Sequence, residues 1–165
     1  IIASNQQYDP LLIAVCAHSA RWENVRVRFY IKSAFRALSA MVKSNVSALR
    51  RLCLGQMNGV EEQIDAFQVA PQLHEFTFFG NTNSLASKLK LPFPQITSYH
   101  GFASQIQPEL SNNYDFLKTM PRLESLYLSR KFALYVGGTN DIPLAFLHTL
   151  SIDAKEGSIL TTSLK

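Results

Sequence analysis

Four histidines (His18, His74, His100, His148) and two cysteines (Cys16, Cys53) are the side chains of this sequence best suited to acid–base, nucleophilic or metal chemistry. Their spacing serves none of these. Cys16 and His18 diverge on a helix and lack the further ligands of a zinc site. His74 and His148 fall three structural units apart by the pattern developed below. At ~4.8 Å per strand their side chains lie roughly 14 Å apart, too far to share a metal. No Ser, His and Asp occur in a nucleophile-elbow context. "VGGTN" (Val136–Asn140) lacks the Gly-Lys-Ser/Thr ending of a phosphate loop and reads as a turn. The sequence therefore points away from an enzyme and names no metal or cofactor.

Recognition chemistry is better represented. Residues 1–51 carry eight Lys/Arg against Asp9 and Glu23, a charge of +6, while residues 52–165 carry eight basic and ten acidic side chains, a charge of −2. One end of the molecule is basic, which reads as a solvated surface or, alternatively, as a means of steering an acidic partner.

The elements that position these groups come from a recurring pattern, apolar-x-x-apolar-x-apolar. It fits Leu49, Leu52 and Leu54; Leu73, Phe76 and Phe78; Leu123, Leu126 and Leu128; and Leu147, Leu150 and Ile152. Weaker copies are Trp22, Val25, Val27 and Ile96, Tyr99, Gly101. The steps between copies are 27, 24, 23, 27 and 24 residues, inside the 20–29-residue window of leucine-rich repeats. Alternation of the last apolar positions with polar ones predicts a short strand with one buried face. Parallel pairing of successive strands needs a crossover, usually helical. Helical spacing appears in Leu12, Val15 and Cys16; in Phe35, Leu38, Met41 and Val42; in Ile64 and Phe67, with Glu61 and Glu62 in the first turn; and in Tyr114, Leu117 and Met120. Pro71 and Pro121 are expected to stop the helices before the next strand. Residues 80–95 and 130–146 break the regularity, with a short helix expected around Ser84–Lys90.

The expected fold is α/β: a single irregular leucine-rich-repeat solenoid domain over residues 1–165, with about six repeats, a curved parallel sheet inside, and helices and loops outside. With 47% apolar residues and 11 Phe, the chain can bury a real core, and no apolar run approaches the ~20 residues of a membrane span. The opening "IIASNQQ" has no initiator Met and no signal-peptide pattern, and "GSILTTSLK" looks like the start of another apolar segment. The chain is expected to be a piece of a larger protein. Two cysteines without a disulfide framework suit a reducing compartment, and the sequon Asn45-Val46-Ser47 is the one hint of secretion.

Positions three, five and seven of each unit turn away from the core. They carry Asn24, Arg26, Arg28; Arg51, Cys53, Gly55; Glu75, Thr77, Phe79; Ser98, His100, Phe102; Ser125, Tyr127, Ser129; and Thr149, Ser151, Asp153. The candidate partner-binding residues are Arg26, Arg28 and Arg51 at one end and Phe79, His100, Phe102 and Tyr127 in the middle. Arginine and aromatic groups are enriched at interface hot spots. Together they suit an acidic or phosphorylated peptide. Phe79 and Phe102 have two placements open to them: exposed on the face, or tucked under adjacent loops. Nucleic acid is disfavoured, since the positive charge is modest and no RNP or helix-turn-helix signature is present.

"LLIAVCAHSARWENVRVRF" (Leu11–Phe29) resembles the start of the C-terminal region in the large F-box family of mushroom-forming fungi, where a helix ends in a His-Ser-x-Arg-Trp run before the first strand. "VSALRRLCLGQM", "APQLHEFTFFG", "LPFPQITSYHG" and "MPRLESLYLS" resemble the leucine-rich units that follow. The resemblance spans roughly residues 11–155 and implies an intracellular substrate receptor of a cullin-type ubiquitin ligase. It implies that an F-box, with no matching segment here, docks on the Skp adaptor, while the repeats hold a protein substrate. The chain departs from regular repeats at the position that is often Asn or Cys: here it is Tyr30, Met57, Asn81, Ser104, Lys131 and Lys155. Only Asn81 fits. A leucine-rich-repeat scaffold or inhibitor without a ubiquitin link is the alternative, and an enzyme on a different fold is a third.

Overall fold

The computed structural model describes residues 10–28, 32–55, 63–80, 89–102, 114–129, 144–153 and 159–163. Helix α1 (Pro10–Cys16) and a 3-10 turn (Ser19–Arg21) lead into strand β1 (Asn24–Arg28). Helix α2 (Lys32–Val42) connects it to β2 (Arg51–Gly55). Then follow β3 (Glu75–Phe79), β4 (Ser98–Phe102), β5 (Ser125–Leu128), β6 (Thr149–Asp153) and β7 (Ile159–Ser163). All seven form one sheet in chain order, with β1 to β6 parallel and β7 antiparallel to β6. Within the "GSILTTSLK" segment, Ile159–Ser163 supplies this antiparallel strand.

One turn recurs before every parallel strand. The backbone N–H of Trp22, Leu49, Leu73, Ile96, Leu123 and Leu147 donates to the carbonyl three residues back, at 3.0–3.2 Å. Pro71, Pro94 and Pro121 occupy the second residue of three of these turns, where the fixed φ of proline is pre-set for the bend. Pro71, expected to stop a helix, has none before it among the described residues, whereas Pro121 follows the 3-10 helix Tyr114–Thr119. Next comes a carbonyl that serves two donors. The oxygens of Glu23, Arg50, His74, Thr97 and Glu124 each accept the N–H groups of two consecutive residues in the next unit, at 2.8–3.2 Å.

The register follows. Arg26 aligns with Cys53, Thr77, His100, Tyr127 and Ser151 across six strands. Leu52, Leu54, Phe76, Phe78, Tyr99, Leu126 and Leu128 point the other way into a continuous core with Leu49, Leu73, Ile96 and Leu123. Leu38 and Val42 of α2 join this core. At its ends Trp22, Val25, Val27, Leu147 and Leu150 are only partly buried.

One expected helix is absent among the described residues. Ile64 and Phe67 are buried as foreseen, but residues 63–70 are extended and turned. The carbonyl of Ile64 accepts the N–H of Lys90 at 2.7 Å, and Ile64 bridges Leu89 in parallel. Backbone groups that a helix would use internally are spent on the next unit. Lys90 and Leu89 are accordingly not helical; the rest of the short helix expected around Ser84–Lys90, the "VGGTN" turn and the six Asn/Cys-type positions lie outside the described residues. Tyr114–Thr119 forms a 3-10 helix in place of an α-helix, with Thr119 Oγ1 donating to the Phe116 carbonyl.

Side chains lash neighbouring units together. Gln95 Nε2 lies 2.7 Å from both the Ala70 and Leu73 carbonyls. The amide nitrogen of Asn45, the asparagine of the sequon, donates to the hydroxyl of buried Ser19 at 2.9 Å. That atom is therefore a structural tie. Asp65 accepts from Ser39 Oγ at 3.2 Å and pairs with Lys43, joining its segment to α2.

Leu126 is 5% exposed, so Leu126→Ala should cost about 2–5 kcal/mol in chemical denaturation. An unchanged midpoint would show that β5 does not rest on this side chain. The hydrogen bond from Lys43 holds the Asp65 carboxyl below its ordinary value, with Ser39 assisting and burial opposing. A depressed acid stabilises the fold fully above its unfolded pKa of about 3.9 and loses that contribution as pH falls through the folded value. Asp65→Asn should therefore lower stability at neutral pH and converge on the parent at the acid end. Parallel curves across that window would contradict the assignment.

Candidate functional site

The face opposite the core is built from the alternate residues of each strand, so the sheet register alone sets its layout. The position-three row starts with Asn24, Arg51 and Glu75. Arg51 Nε meets Glu75 Oε2 at 3.0 Å, with the arginine side chain 62% exposed. Opposite charges at equivalent positions of adjacent parallel strands sit side by side. Arg51 therefore reaches the surface already paired. Further along the row, Ser98 Oγ lies 3.2 Å from His100 Nε2 on the same strand.

The position-seven row holds the most specific geometry. Phe79 and Phe102 stack with centroids 4.4 Å apart and planes 13° from parallel. Tyr127 sits 5.3 Å from Phe102 and 5.7 Å from His100. At the other end the Arg28 guanidinium carbon lies 5.6 Å from the Phe79 ring centre. Arg28 and Phe79 are on strands two apart, and the strand between them carries Gly55 at this position. A Cβ on Gly55 would stand 3.2 Å from Arg28 Cγ and 3.6 Å from Phe79 Cβ. The missing side chain is what lets the arginine cross β2 and lie against the ring. Phe79 and Phe102 are half-buried, each covering part of the other.

All seven sequence-selected residues, Arg26, Arg28, Arg51, Phe79, His100, Phe102 and Tyr127, share this face. Arg28, Phe79, Phe102, Tyr127 and His100 form one continuous group. Arg51 is tied to Glu75, and Arg26 is exposed at the edge strand. Gly55 is the contributor that a search for reactive or aromatic letters passes over. Its signal was available in the register, as the one residue without a side chain between a cation and a ring. Cys53 and Thr77 occupy the middle row between Arg26 and His100.

The groups considered for catalysis stay apart. Cys16 is buried in the core, and burial pushes its thiol pKa up, which disfavours the reactive thiolate. His18 is exposed in the turn after α1. His74 Nδ1 lies 2.9 Å from the Gln72 carbonyl, beside the turn before β3. Among the described residues no three His, Cys, Asp or Glu converge as a metal set, and no helix is long and apolar enough to cross a membrane. No protein-family model, curated protein or solved structure matches the chain.

The Arg28–Phe79 contact is testable as a coupling. A double-mutant cycle of Arg28→Ala and Phe79→Ala should return about 0.5–1 kcal/mol. In a Gly55→Val background the coupling should vanish. A coupling that survives would mean Arg28 does not cross at Gly55.

Proposed function

We propose that the chain is a protein-interaction module: an irregular leucine-rich-repeat solenoid that holds a protein partner on the outward face of its parallel sheet. The observation that carries this reading is the ladder of Arg28, Phe79, Phe102, Tyr127 and His100, assembled from four strands on a single face. Rigid aromatic rings provide contact area at low entropic cost, and the arginines at one end favour an acidic or phosphorylated segment. Recurring turns at steps of 23–27 residues support the repeat assignment.

The resemblance to the fungal F-box family extends the proposal. In it the module is the substrate-recognition region of an intracellular ubiquitin-ligase receptor, and a Skp-type adaptor joins through an F-box elsewhere in the longer protein. A repeat scaffold without that link would use the same face. Dispersal of the titratable groups supports binding over catalysis.

The test is affinity purification of the longer protein that contains this chain, followed by identification of what it retains. The expected result is a Skp-type adaptor together with a second, distinct protein. Phe102→Ala/Tyr127→Ala should release the second protein, keep the adaptor, and leave the melting temperature within a few degrees. Undiminished retention of the second protein by a folded variant would overturn the face. Retention of that protein without any adaptor would favour the scaffold.

A further inference from the structure

In every interior unit, the N–H groups of positions two and three are taken by the carbonyl of the unit before. Arg50 and Arg51 donate to Glu23, and His74 and Glu75 donate to Arg50. Glu23 and Asn24 hold the same positions in the first unit, and β1 is the edge of the sheet. Among the described residues nothing accepts from them. Backbone groups of a parallel strand alternate in direction. Because Glu23 faces β2, residues Asn24, Arg26 and Arg28 turn theirs to the open side. The edge therefore repeats the donor geometry by which each later strand binds the carbonyl of the unit before.

Its side chains define what fits. Val25 and Val27 are half-buried where Leu52 and Leu54, one strand in, are fully buried. Arg26 is exposed between them, while Arg28, beyond Val27, turns its guanidinium over β2 toward Phe79. A strand laid in register would bring apolar residues beside the valines and an acid beside Arg26. A second copy fits poorly: β1 against β1 would oppose arginine with arginine, and β7, the other edge of the sheet, reads Ile-Leu-Thr-Thr-Ser with no acid. Charged residues on edge strands oppose self-pairing in just this way.

We propose that the edge of β1, unpaired among the described residues, is a second interaction site, which accepts from a partner protein an extended segment of alternating acidic and apolar residues, added as a parallel strand. This site shares Arg26 with the outward face and requires none of its aromatic rings. In the added strand, the residues beside Val25 and Val27 would aim their backbone groups at β1, and the acids would aim theirs away.

The probe is an acetylated, amidated (Glu-Val)4 peptide titrated into the isotope-labelled 165-residue chain and followed by NMR. Binding should slow amide exchange at Asn24, Arg26 and Arg28. N-methylation of the valines should weaken it about tenfold or more, and N-methylation of the glutamates should leave it nearly unchanged. Arg26→Glu should lose the Glu peptide and gain (Lys-Val)4. Phe102→Ala should have no effect, which separates this site from the aromatic face. No protection at the three amides, or a block by glutamate methylation alone, would overturn the parallel edge. A charge-swapped variant that merely changes self-association would do the same.

Discussion

The structure depends on one backbone arrangement: a carbonyl just ahead of each strand that accepts two consecutive N–H groups from the next unit. Glu23, Arg50, His74, Thr97 and Glu124 supply it. Two donors on one oxygen fix both the position and the direction of the incoming strand. A slip by one residue would break both bonds and carry the apolar positions to the outward face. Because the bond lies in the backbone, the side chains at these positions are free to vary. Here they are two acids, an arginine, a histidine and a threonine.

The core fills differently along the sheet. Near β1 and β2 the volume is taken by α2 through Leu38 and Val42. Further on, where the described connections are turns and 3-10 segments, aromatics take over. Phe76 contacts Tyr99 at 5.7 Å and Phe93 at 6.4 Å, and Tyr99 contacts Phe116 at 5.2 Å. Bulky rings reach across depth that a helix would otherwise occupy, so the connections can stay extended.

Strand positions and faces were legible because a period of two with one buried side leaves little freedom. Every strand that the leucine triplets implied lies in the expected register, down to the weak copy ending in Gly101. The connections were less legible. Ile64 and Phe67 have helical spacing, yet two buried residues three apart are equally well placed by a turn. What decides between them is the Ile64 carbonyl bonding Lys90, a long-range partner that local periodicity does not encode. Of the site, membership of the face was readable but its internal pairing was only partly so. Arg51 beside Glu75 follows from register and charge. The reach of Arg28 over Gly55 depends on a side-chain path across two strands, which a residue pattern leaves open.

That pairing changes how the positive charge of the face should be counted. Arg51 is offset by Glu75, and Arg28 has its guanidinium against a ring. The two arrangements are not equivalent. An ion pair competes directly with an incoming carboxylate for the same N–H groups. A ring occupies the face of the guanidinium and leaves its in-plane donors directed outward. Arg28 is thus held in place without being neutralised, and part of the entropic cost of ordering it is met before a partner arrives. Recognition of an acid on this surface should therefore centre on Arg28 and the exposed Arg26. Arg51, partly offset by Glu75, contributes through the donors that its Nε contact leaves free.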